Sequence, residues 1–157
     1  MKTAVWQLEC ALANFLNYRR NIIIPNIGWG LHIHECDLFL VTTAGYTMEI
    51  EIKTSQADIV NDKRKKRGHY SNKIKYLYFA IPCNVKYRPD DIPQRAGIIL
   101  VDENDRCIIK RKAIPNPTAK KLSTQDLVAL ARLGAMRIWN LKEMIRDRWY
   151  LRQEFKL

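Results

Sequence analysis

The chain has 157 residues, 47% of them hydrophobic and 27% charged, enough apolar material for one domain with a core of its own. Lys and Arg outnumber Asp and Glu to give a formal net charge of +11, a surplus that favours a polyanionic partner, nucleic acid or an anionic membrane surface. No apolar run approaches the ~20 residues of a membrane-spanning helix, Glu9 interrupts the N-terminal segment before a signal-peptide apolar region develops, and Cys10, Cys36, Cys83 and Cys107 form no CxxC pair; a soluble, cytoplasmic protein with reduced thiols is expected.

In chain order, Thr3 to Tyr18 set Val5, Leu8, Leu12, Phe15 and Leu16 at three- and four-residue spacings, which predicts an amphipathic helix with Glu9 at the edge of its apolar stripe. Asn21 to Ile27 is rich in β-branched residues and closes on Gly28-Trp29-Gly30, a strand running into a turn. His32 to Val41 and Tyr46 to Lys53 are predicted as two more strands, joined by a hairpin loop at Thr42-Thr43-Ala44-Gly45. A polar stretch from Ser55 to about Arg67, capped by Thr54 or Ser55, predicts a helix with few residues to bury, namely Ala57, Ile59 and Val60, that ends in a basic loop. Lys75 to Ile81 is a strand stopped by Pro82, and Gly97 to Val101 and Cys107 to Arg111 form a hairpin around Asp102-Glu103-Asn104-Asp105. Ser123 with Asp126 resembles a capping box that opens a long helix reaching Trp149. The order predicts a single domain over 1–157, with a core at about 3–111 and a C-terminal helix at about 123–149, built as a mixed α/β sheet with helices on its faces.

On a strand, residues two apart share a face, so Glu49, Glu51 and Lys53 project together while Ile50 and Ile52 point the other way. The hairpin brings the strand of Asp37 beside that of Glu51. Two converging carboxylates make a hard oxygen site suited to Mg²⁺ or Mn²⁺, and the Lys53 ammonium on the same face is placed to orient an attacking water or to stabilise charge on phosphate oxygens. This is a layout for phosphodiester hydrolysis.

Asp37 and Glu51-Ile52-Lys53 on consecutive strands resemble the signature of the PD-(D/E)XK nuclease superfamily. The run from Glu49 to Asp58, followed by Lys75 to Pro82 (KYLYFAIP) and Ala96 to Asp102 (AGIILVD), resembles the MmcB family of DNA-repair-associated members, over roughly Glu35 to Arg111. The resemblance implies a restriction-endonuclease-like αβββαβ core, here with an added β-hairpin and long C-terminal helix, and Mg²⁺- or Mn²⁺-dependent hydrolysis of DNA in repair, recombination or mobile-element processing. It implies Asp37, Glu51 and the Ile52 backbone carbonyl as metal ligands and Lys53 as the catalytic lysine. Glu9 takes the place of the first-helix glutamate of RecB-like nucleases and Holliday-junction resolvases. Cys36 stands where the superfamily name has proline.

Blander readings stand beside these. Glu51 and Lys53 also fit a surface ion pair on a solvated strand. Glu49 fits a salt bridge, Glu9 a solvated helix residue, and Gln56 and Asp58 either a metal rim or a helix cap. The alternating His32, His34 and Cys36 suggest zinc only if a fourth ligand arrives, and packing is preferred. Lys63, Arg64, Lys65, Lys66 and Arg67, with Lys73 and Lys75, are the expected DNA contacts, helped by His69 and Tyr70; the alternative is a solvated helix end. Trp29 fits base stacking or a covered core edge, and Trp139 and Trp149 fit the core. The rival function is a catalytically silent DNA-binding or repair-scaffold module. Membrane binding is disfavoured, and a homodimer or a repair-complex partner is left open.

Overall fold

Isoleucine, valine and aromatic residues concentrate in six short segments, and each becomes a strand. The computed structural model describes residues 4–28, 31–63 and 71–154. Its elements run α1 (Val5–Phe15), β1 (Ile22–Ile27), β2 (Cys36–Val41), β3 (Thr47–Ile52), α2 (Gln56–Lys63), β4 (Tyr76–Pro82), a 3₁₀ turn (Pro89–Asp91), β5 (Gly97–Val101), β6 (Cys107–Arg111) and α3 (Thr124–Glu154). The strands form one sheet in the order β1-β2-β3-β4-β5-β6. The β3–β4 and β4–β5 pairs are parallel, and β1–β2, β2–β3 and β5–β6 are antiparallel.

Local chemistry sets the boundaries. Helix α1 ends before Asn17, whose φ of 57° lies in the left-handed region that asparagine tolerates. Pro25 sits in β1, where an edge strand can lack one ladder donor. In the β2–β3 turn the Tyr46 N–H donates to Thr42 Oγ1, and Gly45 adopts φ 83°. Ser123 and Asp126 close the predicted capping box reciprocally, with Asp126 N–H donating to Ser123 Oγ at 3.1 Å and Ser123 N–H to Asp126 Oδ2 at 3.2 Å.

Three elements differ from their sequence readings: β4 keeps Pro82 as its last paired residue, opposite Val101, instead of stopping before it, and β2 and α3 differ as follows. Strand β2 begins at Cys36 instead of His32, because His32 at φ 53° breaks the extended path, so His32, His34 and Cys36 do not alternate along one strand face. Helix α3 runs to Glu154, and its second half leaves the body. Trp139 and Trp149, read as core, are 63% and 56% exposed: periodicity gave them a helix face but no body lies beneath it.

Three apolar clusters place the site. On one sheet face Leu8, Ala11 and Leu12 of α1 pack on Leu38, Leu40, Ile50 and Ile52. On the other, Leu130 of α3 joins Ile24, Ile27, Phe39 and Val41 of β1 and β2, while Ile59 of α2 joins Leu77, Phe79 and Ile98 of β4 and β5. Ile59 is fully buried, so α2 docks more firmly than its few apolar residues suggested. Neither cluster on this second face takes a residue from β3. That strand's Thr47, Glu49 and Glu51 therefore occupy a polar seam between the two.

Candidate active site

The seam is polar by sequence and buried by topology. Glu49, Glu51 and Lys53 are all buried among the six strands, Glu49 at 0% exposure. A carboxylate in such a place requires a partner. The Lys53 ammonium donates to Glu51 Oε2 at 2.7 Å and to Asp62 Oδ1 at 2.9 Å. His34 Nε2 lies 2.7 Å from Glu49 Oε1. The Glu51–Lys53 pair is thus an ion pair, as the bland reading had it, but one withdrawn from solvent instead of lying on a wet strand.

Register brings the other acids in. The β2–β3 ladder pairs Leu38 with Ile50, and one step further sets Asp37 level with Glu51. There the Asp37 side chain accepts the Ile52 N–H through Oδ2 at 2.7 Å, which fixes it to the end of β3. From α1, Glu9 Oε1 accepts a hydrogen bond from Asn26 Nδ2 at 3.3 Å.

Burial is the largest influence on the Glu51 and Glu9 carboxyls. It raises the Glu51 carboxyl above its ordinary range against the opposing charge and hydrogen bond of Lys53, and Asp37 and Glu49 push in the same upward direction. It likewise raises Glu9; the Asn26 hydrogen bond opposes this and the Asp37 charge adds to it. For Lys53 burial works toward neutrality, but Glu51 and Asp62 outweigh it and hold the ammonium charged.

One further observation bears on a cation. Glu51 Oε1 is buried without a hydrogen-bond partner among the described residues. A buried carboxylate oxygen with no donor, next to a second carboxylate and within the field of a third, suits a hard divalent ion. As the side chains stand, no three His, Cys, Asp or Glu among the described residues lie close enough together to hold a metal. The zinc reading also weakens, because burial, then Glu49, Glu51 and Asp37, push the Cys36 thiol up, away from the thiolate that zinc takes.

Several expected residues lie elsewhere. Lys73 is a strut: its ammonium donates to Asp126 Oδ1 at 2.6 Å and to the Leu31 carbonyl at 2.9 Å, tying the start of α3 to the body. Lys75 packs 3.4 Å over the Tyr46 ring and stands level with Thr47, six residues or ~20 Å along β3 from Lys53. Both therefore stand at the end of β3 away from Lys53. The Lys63 side chain, Arg64 to Arg67, His69, Tyr70 and Trp29 lie outside the described residues. Gln56 braces the 3₁₀ turn by donating to Asp91 Oδ2 at 2.7 Å, and Asp58 accepts the Thr54 N–H at the α2 start, a capping role. Asp62 was missed, though a signal existed: it lies three residues after Ile59, on the face of α2 that Ile59 turns to the sheet.

The elements define a mixed α/β protein with a six-stranded mixed sheet and, among the described residues, three α-helices including a long C-terminal one. A solved structure, the SPO1766 protein of unknown function from Silicibacter pomeroyi, is similar to this chain in fold, with a TM-score of 0.63 and 19% sequence identity over 90% of each chain. No protein-family model and no curated protein matches the chain. No helix among the described residues is long and apolar enough to cross a membrane.

Proposed function

We propose that the chain is a Mg²⁺- or Mn²⁺-dependent DNA nuclease with a restriction-endonuclease-like core, similar to the PD-(D/E)XK enzymes and the MmcB family among them. The observation that carries the reading is the buried Glu51–Lys53 pair with Asp37 fastened beside it and Glu51 Oε1 left without a donor. Asp37 and Glu51 would hold the cation with the Ile52 carbonyl, and Glu9, bonded to Asn26 as the side chains stand, would have to turn to join them. A hard cation there supplies neutralising charge to a scissile phosphate. Lys53, aimed by Asp62, offers its ammonium to the charge that develops on the phosphate oxygens. The net charge of +11 supports a polyanionic substrate.

Incubating the purified chain with single-stranded, duplex, flapped and four-way DNA, with and without Mn²⁺, tests the proposal. Metal-dependent cleavage of at least one substrate is expected. A protein that binds these DNAs and cuts none would be the silent repair-scaffold module instead.

A further inference from the structure

Helix α3 uses only its first turns to join the body. Leu130 and Leu133 are buried, Gly134 approaches Ile24, and from Ala135 to Tyr150 every residue is exposed. Arg137 ties the departing helix to the end of β1 by donating to the Asn26 carbonyl. Beyond it Ile138, Leu141 and Ile145 recur at alternating three- and four-residue steps, the spacing of a helix–helix seam, with Met144 and Trp149 alongside. These five are between 54% and 59% exposed. A run of large apolar side chains this long on one unpaired helix marks an interaction site.

We propose that this stripe is the contact for a second copy of the same chain, the two α3 arms packing against one another about a two-fold axis. Each copy carries the same stripe, so the surface is self-complementary without any other molecule. The arm from Ala135 to Glu154 extends about 30 Å, and a helix laid along it covers on the order of 600 Å² per copy, or about 1,200 Å² for the pair, the lower end of specific protein interfaces. DNA gains nothing by covering Ile138, Leu141 and Ile145. A lipid surface is disfavoured because Arg148 takes the next three-residue step after Ile145 and interrupts the apolar line. Through Asn26, which holds Arg137 by its carbonyl and Glu9 by its side chain, the arm begins beside the carboxylate cluster.

The inference does not depend on the nuclease reading, and sedimentation velocity of the full chain without DNA or metal tests it. Two copies that each carry +11 repel, so the expected dimer in the micromolar range tightens or holds as salt is raised, whereas DNA-bridged association would dissolve. Leu141→Glu with Ile145→Glu should weaken it by at least about 100-fold while the far- and near-ultraviolet dichroism of the body persists. If the charges unwind the arm, Leu141→Ser with Ile145→Ser gives the same readout at reduced size. A wild-type monomer at every concentration, a dimer indifferent to both double variants, or association that appears only with DNA or anionic vesicles would overturn the proposal.

Discussion

Lys53 and Asp62 are joined by a 2.9 Å hydrogen bond between a strand end and a helix, in a place where each side chain is almost closed to solvent. The ammonium so held has carboxylates from two elements and little freedom to turn. Asp62→Ala should therefore lower kcat of DNA cleavage about 10- to 100-fold with DNA affinity nearly unchanged, since no phosphate contact is removed. It should cost on the order of 2 kcal/mol of stability, read by urea unfolding. Asp62→Asn, which keeps an acceptor oxygen, should recover much of the turnover. Equal kcat in all three proteins would leave Asp62 with a packing role only.

At the proposed metal site, proton and cation would compete for the same carboxylates. Burial raises Glu51 and Glu9, so the folded state holds their protons more tightly than the unfolded chain does. Their contribution to stability is present at low pH and is lost as pH rises through the raised folded values. A divalent cation bound there would restore it by replacing those protons. The thermal shift produced by Mn²⁺ should grow as pH rises through that window, and Glu51→Gln should flatten the trend. A shift that stays constant with pH, or shrinks, contradicts the ligand assignment.

The basic run and the two lysines of the β4 segment should separate by salt dependence. Replacing Lys63, Arg64, Lys65, Lys66 and Arg67 by serine should flatten the plot of log DNA affinity against log salt by about 0.9 per lost duplex contact. Lys73→Ala and Lys75→Ala should leave the slope alone. Lys73→Ala should instead cost about 1 kcal/mol of stability, because Asp126 loses its ammonium partner at the head of α3. Asp126 is held below its ordinary range: burial pushes it up, and the Lys73 and Ser123 hydrogen bonds outweigh that. This increment is accordingly present at neutral pH and fades as pH falls through the folded value. An altered salt slope in Lys73→Ala would return that residue to the DNA surface.

Gly97 opens β5 against the Tyr78 ring. A Cβ there would lie 2.2 Å from Tyr78 Cε1 and 2.8 Å from the Ala113 amide nitrogen, so a ring and a main chain must both move. Gly97→Ala should cost at least about 1–3 kcal/mol, measured by denaturant unfolding. A neutral result would mean that the β4–β5 pairing is looser than described.

Sequence exposed those parts of the fold that local chemistry decides. The six strands, the Gly45 turn and the Ser123–Asp126 cap each follow from residues within a few positions of one another. Asp37, Glu51 and Lys53 were legible because a hairpin and a two-residue strand period carry them together. The His34–Glu49 contact was not, since it depends on the irregular path at His32, which pattern alone does not reveal. Nor was Asp62, whose approach to Lys53 depends on how α2 docks across the sheet. Trp139 and Trp149 show the complementary limit: a helical period identifies a face without saying how far the body beneath it extends.

Whether Lys53 acts on the phosphate at a metal-dependent site is decided by the single-turnover cleavage rate at saturating DNA and Mn²⁺. Lys53→Ala leaves Glu51 and Asp62 without their shared cation, so its folding must first be confirmed against an expected loss of about 3–5 kcal/mol. In folded protein the rate should lie at least about 100-fold below wild type with DNA affinity almost unchanged. Cleavage by Lys53→Ala at the wild-type rate would contradict it.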